Sequence, residues 1–161
     1  MKKNKESLGE KIIGIVKDNL VVKPLQRFLH SKYKSKFSEE INYLPKGTVG
    51  RDLVDFLQEN NFKLIPNYES HDLKHLLLGY GMSTLEEIKM QAFLWGNGNY
   101  SFLCIGFVIS AIILPRKWGE IYNEYKRGKS VDVIIGLRLE HCMYEQTIDL
   151  QNKFSLAGHS I

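Results

Sequence analysis

Cysteine is scarce in this chain. Cys104 and Cys142 are the two in 161 residues, and they stand far apart in different surroundings. A disulfide-built scaffold is therefore excluded, and a reducing, intracellular setting is the expectation. Cys104 lies inside an apolar run and reads as core packing. Long hydrophobic runs are also missing. The longest uncharged apolar stretch, Phe102 to Leu114, stops at Pro115-Arg116-Lys117 and falls short of the ~18–20 residues a spanning helix needs. It reads as a buried core helix or one wall of a lipid pocket, so any membrane contact is expected to be peripheral. The Lys-rich start leads into a charged amphipathic segment without an apolar core, so no secretory signal is read there and a cytoplasmic location is expected. Internal repeats and low-complexity tracts are absent. Aromatic residues do not alternate with basic ones in the manner of a nucleic-acid module, so no nucleic-acid partner is expected.

What remains is an ordinary globular composition, 43% hydrophobic and 25% charged, in a length that suits one domain with its own core. The net charge of +4 is unevenly spread. Residues 1–50 hold eleven Lys/Arg against five Asp/Glu, and the remainder eleven against thirteen. We divide the chain into a basic helical extension, 1–45, and a helical domain, 46–161. The extension suits either an anionic lipid surface or simple solvation.

Apolar residues recur at helical spacing almost throughout, which predicts an all-α fold, a single bundle-like domain. Leu8, Ile12, Ile13, Ile15, Val16 and Leu20 mark a first helix, and Pro24 opens a second through Leu25, Phe28 and Leu29. Thr48 is placed as N-cap of a helix carrying Val49, Leu53, Phe56 and Leu57 and closed by Asn60-Asn61. The segment from Ser70 to Leu78 reads as a helix stopped by Gly79. Another runs from Ser83 to about Trp95, with Leu85, Ile88, Ala92 and Trp95 inward, and Gly96-Asn97-Gly98-Asn99 breaks it. After the apolar stretch come a helix from Arg116 to about Lys126, a strand or helix start at Val131–Ile135, and a last helix from Arg138 to Phe154.

The chemistry concentrates at Ser70-His71-Asp72-Leu73-Lys74-His75. At ~100° per residue, His71 and His75 lie ~40° apart and Asp72 falls only ~60° beyond His75. Two imidazoles and a carboxylate in one sector make a good shell for a borderline divalent cation: zinc, iron or manganese. Gly79 falls on the same sector and leaves room for a neighbour. The next helix offers Glu86 and Glu87. With Ser83 as N-cap, Glu86 completes a capping box and Glu87 is free to ligate; with Thr84 as cap the roles exchange. His141 and Glu145, four apart beside Cys142, are too few for a metal and read as a solvated face. His30 and His159 have no partners by spacing.

His-Asp-x-x-His, eleven residues, then Glu is the signature of the coenzyme Q (ubiquinone) biosynthesis protein 4 family. This chain resembles that family from His71 to Glu87 (HDLKHLLLGYGMSTLEE), with Gly79 where the family has glycine. Lys46-Gly47-Thr48-Val49-Gly50-Arg51 and Asp55-Phe56-Leu57 are similar to its upstream segment, and 118–128 and 138–154 to its C-terminal helices. The pattern departs in having Glu86 where the family usually has glycine, and in a shorter stretch between Leu57 and His71, as a divergent member would. The resemblance implies a mostly helical, peripherally membrane-associated protein. It also implies a homodimer, further quinone-biosynthesis proteins as partners and a prenylated quinone precursor as ligand. His71, Asp72, His75 and Glu87 would hold the metal, zinc first, during loss of the ring C1 carboxylate. Leu76, Leu78, Phe93, Phe102, Phe107 and Ile109 would line a channel for the prenyl tail, or simply pack a core. Two further readings stay open: a non-catalytic prenyl-lipid-binding scaffold, and a metal-dependent hydrolase, which would want more His and Asp ligands than this chain can spare.

Overall fold

A computed structural model describes residues 7–17, 40–65 and 68–156. Within them the chain is all-α, as the periodicity predicts, with eight α-helices and three short 3-10 turns and no strand. The helix expected after Pro24, His30, His159 and most of the 1–45 extension lie outside the described residues.

The helices are α1 (Leu8–Lys17), α2 (Val49–Glu59), α3 (Glu69–Leu78), α4 (Thr84–Gly96), α5 (Phe102–Ser110), α6 (Trp118–Lys129), α7 (Leu139–Cys142) and α8 (Thr147–Lys153). α4 is the axle of the molecule. One side gives Met90, Phe93 and Leu94 to the main core, with Leu53 and Leu57 of α2, Leu73 and Leu77 of α3, and Leu139 and Leu150 from the C-terminal helices. The other side gives Ile88 and Ala92 to a second core with Ile13 of α1, Ala111, Leu114 and Ile121 of α6. The expected inner face of α4 is therefore half of the answer, and Trp95 at its edge stays partly exposed.

Two glycines let α4 and α6 touch backbone to backbone. A Cβ at Gly96 would stand 2.0 Å from the Tyr125 carbonyl oxygen, and one at Gly128 2.0 Å from that of Phe93. With α4 central and α6 against it, the apolar helix α5 is displaced outward. The expectation of a core helix there is corrected: Cys104 is buried, but Phe102 is 97% exposed, and Ile109, Ile112 and Ile113 are exposed too. No helix among the described residues is long and apolar enough by itself to cross a membrane.

Nor is Arg138 to Phe154 one helix. The chain breaks between α7 and α8 because its carbonyls serve the start of α2 instead. Val49 N–H donates to the Glu145 carbonyl (2.9 Å) and Gly50 N–H to that of Met143 (3.0 Å). Those carbonyls satisfy amides that a helix N-terminus leaves orphaned. Asp52 tightens the junction, accepting from Gly47 N–H (2.9 Å) and Thr147 Oγ1 (2.7 Å). Thr48 holds the N-cap position, but its hydroxyl donates backward to the Pro45 carbonyl and caps nothing. Val131–Ile135 forms neither strand nor helix. Asn97, the C-cap of α4, donates to the Gly128 and Asp132 carbonyls and accepts from Ile134 N–H, and so pins that loop across the helix end.

Candidate metal centre

The site forms where α3 ends and α4 begins. Gly79, at φ 71°, closes α3 in the left-handed conformation that glycine adopts freely. Gly79 N–H bonds to the Leu76 carbonyl and Tyr80 N–H to that of His75, the paired bonds of a Schellman turn. Glycine is thus needed here for its backbone. Ser83 caps α4, its hydroxyl accepting from Glu86 N–H, while the Glu86 carboxylate leans outward to Lys89. Glu87, one residue on, turns inward and is buried. Of the two capping schemes the sequence allows, this is the one that frees Glu87.

Three ligand atoms converge. His75 Nε2 lies 3.2 Å from His71 Nε2 and 3.2 Å from Glu87 Oε2, and His71 Nε2 lies 3.4 Å from the same oxygen. A tetrahedral ion with bonds of about 2.0–2.1 Å spaces its ligands ~3.3 Å apart, whereas octahedral geometry at those bond lengths needs ~2.9 Å. The triangle has the tetrahedral edge.

Second contacts orient each ligand. His75 Nδ1 is 3.3 Å from the Tyr80 carbonyl oxygen, which can only accept. With its ring hydrogen on Nδ1, donating to that carbonyl, His75 would present a lone pair at Nε2. Gln91 Nε2 donates to Glu87 Oε1 (2.9 Å), leaving Oε2 for the histidines. The three atoms lie close enough to share either a proton, as a hydrogen bond to Glu87, or a cation. Burial would raise the Glu87 carboxyl, but its hydrogen bonds and charge contacts with His71 and His75 pull it well below the usual range. Burial lowers His71, with Glu87 partly opposing. A carboxylate with a neutral imidazole is the protonation state in which these side chains bind metal.

Asp72 is buried beside this group but outside the triangle. Among the described residues its carboxyl has no hydrogen-bond partner. Burial pushes it up to about 7, with His75 opposing and Glu69 and Glu87 adding. Its oxygens therefore reach solvent, since no buried side-chain oxygen among the described residues lacks a partner. Tyr68, which the sequence did not single out, stacks on His71 with ring centroids 4.4 Å apart, and its phenol is kept protonated by burial and by Glu87 and Asp72. Gln91 and the Tyr80 carbonyl were also missed. Gln91 shows in sequence only as a residue four beyond Glu87, and a backbone carbonyl leaves no mark at all.

The six channel residues are not brought to one space. Leu78 and Phe93 are locked in the main core with Leu76 against it, Phe107 packs on the second core, and Phe102 and Ile109 face outward. The open apolar cavity, about 370 Å³, lies instead between α4, α5 and α6, lined by Trp95, Ile112, Trp118, Ile121, Tyr122 and Tyr125 among others. His141 is exposed beside Glu140, and the break after α7 removes the helical relation to Glu145 that the spacing assumed.

Fold and site together define an all-α protein with a buried cluster of two histidines and a glutamate at one helix-helix junction. The chain is similar in structure to a protein of Nostoc punctiforme PCC 73102 provisionally named a ubiquinone biosynthesis protein, with a TM-score of 0.54 at 15% identity, over 94% of this chain and 83% of that one. At that identity the likeness concerns the fold. No family model and no curated protein matches the sequence.

Proposed function

We propose that this protein binds a divalent cation, zinc by ligand spacing, and uses it on a prenylated aromatic acid in a quinone-forming pathway, removing the ring C1 carboxylate. The observation that carries the metal is the convergence of His71 Nε2, His75 Nε2 and Glu87 Oε2 on one point. The substrate class rests on the sequence resemblance from His71 to Glu87 and on the likeness to the Nostoc protein.

His71, His75 and Glu87 would hold the ion, with Asp72 as a candidate fourth ligand. Bound there, the cation supplies Lewis acidity toward substrate oxygens. The His71 side chain is 17% exposed against 1% for His75, so His71 marks the open side. In the reaction the bond from C1 to the carboxylate breaks, carbon dioxide leaves, and a proton takes its place. Tyr68, in ring contact with His71, is the phenol that would supply it.

A second reading, a lipid-binding scaffold, draws on the exposed apolar residues. Phe102 and Ile109 are exposed on α5, Ile112, Trp118 and Tyr122 line the open cavity, and residues 102–129 carry five Lys/Arg against two Glu. Both glutamates are taken, Glu120 by Lys89 and Lys117, Glu124 by Arg127. Aromatic residues beside unpaired cations suit an anionic lipid surface.

Native mass spectrometry of the purified protein reads metal and lipid together. One zinc per chain, lost in His71→Ala and His75→Ala, is the expected result; full retention refutes the ligand assignment. Turnover of a prenylated hydroxybenzoate by the zinc-loaded protein separates enzyme from scaffold.

A further inference from the structure

Behind the metal centre lies a buried polar group that the reading above leaves without a role. The Tyr80 ring is fully buried in the main core, yet its hydroxyl donates to Glu124 Oε2 (2.6 Å) and accepts from Arg127 Nη2 (2.7 Å). Arg127 Nε closes the triangle on Glu124 (2.8 Å), and its guanidinium lies over the Phe93 ring at 4.6 Å. An ion pair in such a place is held at a desolvation cost that apolar residues of the same size would avoid.

Its position suggests what the pair is for. Tyr80 is the first residue beyond the left-handed Gly79, so no helix fixes its peptide. The Tyr80 backbone meets His75 twice: its N–H donates to the His75 carbonyl (3.1 Å), and its carbonyl oxygen lies 3.3 Å from His75 Nδ1. The phenol meanwhile reaches across the core to α6, some forty residues along the chain. We propose that Tyr80, Glu124 and Arg127 are positioning residues for the metal centre. The clamp on the phenol holds the Tyr80 carbonyl against His75 Nδ1, which keeps the Nε2 lone pair aimed at the ion. This rests on the metal reading and deepens it, since partners of a ligating histidine set ligand orientation and commonly govern affinity by 10–100-fold.

Tyr80→Phe tests the clamp, because it keeps the ring and the backbone carbonyl and removes only the hydroxyl. The probe is cobalt(II), titrated into the chelator-treated full-length protein and read by its visible absorption, with thermal unfolding of the metal-free protein alongside. The expected result is cobalt affinity weaker by about tenfold, with an altered visible band. Glu124→Gln, which still accepts from the phenol, should change affinity by no more than about threefold, short of that range. If Tyr80→Phe does not fold, Arg127→Lys keeps the charge beside Glu124 and loses the contact to the phenol, and a weaker fall in affinity is expected. Wild-type affinity and spectrum in the folded variant, even at a lower melting temperature, would make the clamp purely structural and overturn the proposal while leaving the metal site standing. A wild-type protein that binds neither cobalt nor zinc overturns both.

Discussion

Replacing Glu87 by glutamine separates a metal ligand from a structural hydrogen-bond partner. The side chain is buried, fixed on one oxygen by Gln91 Nε2 and approached on the other by two imidazole nitrogens at 3.2 and 3.4 Å. Glutamine fits the same volume. Its oxygen can accept from Gln91, and its amide can donate to the lone pair at His75 Nε2, so the metal-free fold should survive nearly unchanged. The cation, however, loses its only anionic ligand within the triangle. A ligand that binds the native state stabilises it by RT ln(1 + [L]/Kd), about 4.1 kcal/mol at a thousand times Kd. If the substitution weakens zinc a hundredfold, the same free zinc stands at about ten times Kd and the increment falls to ~1.4 kcal/mol. Urea unfolding with buffered free zinc and with chelator measures both increments, and an unchanged m-value shows that the end states are the same. A zinc increment equal in wild type and Glu87→Gln refutes the ligand role. A metal-free variant destabilised by ~3–5 kcal/mol would point to a broken buried ion pair instead.

Asp72→Asn should weaken zinc about tenfold or more in the same assay if Asp72 completes the shell, and unchanged affinity would leave the fourth position to water or substrate. Gly96→Ala places a methyl 2.0 Å from the Tyr125 carbonyl, which must part α4 from α6; a loss of at least ~3 kcal/mol in urea unfolding is expected, and less than ~1 would contradict the close approach. Burial, aided by Glu145, pushes the Cys142 thiol up to about 11, so it stays protonated in the folded protein at pH 8. Iodoacetamide should therefore label it slowly when native and fast in urea. The raised thiol value favours the folded state at pH below its ordinary ~8.5–9, and that contribution disappears as pH climbs toward 11.

The helical class and the meeting of His71, His75 and Glu87, though not of Asp72, were legible for one reason: both are short-range. His71 and His75 share a face by helical pitch alone, and Ser83 and Glu86 announce the start of α4 within four residues. What escaped depends on partners distant in sequence. α5 reads as core by composition, but whether it is covered is decided by Gly96 and Gly128, which give the place against α4 to α6. The last helix has an unbroken helical pattern, yet the amides of Val49 and Gly50, nearly a hundred residues earlier, claim the carbonyls of Glu145 and Met143. The prenyl channel drawn from Leu78 and Phe93 met the same difficulty, since apolar character alone does not distinguish a lining residue from a core one.

The metal centre therefore depends on where α4 begins, and Ser83→Ala tests that dependence. Removing the cap costs about 1 kcal/mol by itself. Thr84 is the neighbouring cap, and its use would start α4 one residue later. Glu87 then becomes the third residue of the helix, where its carboxylate is drawn back toward the cap and away from His71 and His75. Stability and zinc affinity should consequently fall together in Ser83→Ala. Ser83→Asp, which caps equally well, should preserve both. Were the capless variant to lose its ~1 kcal/mol yet bind zinc as tightly as wild type, the inward turn of Glu87 would owe nothing to the cap. Its anchor would then be Gln91 and the histidines alone.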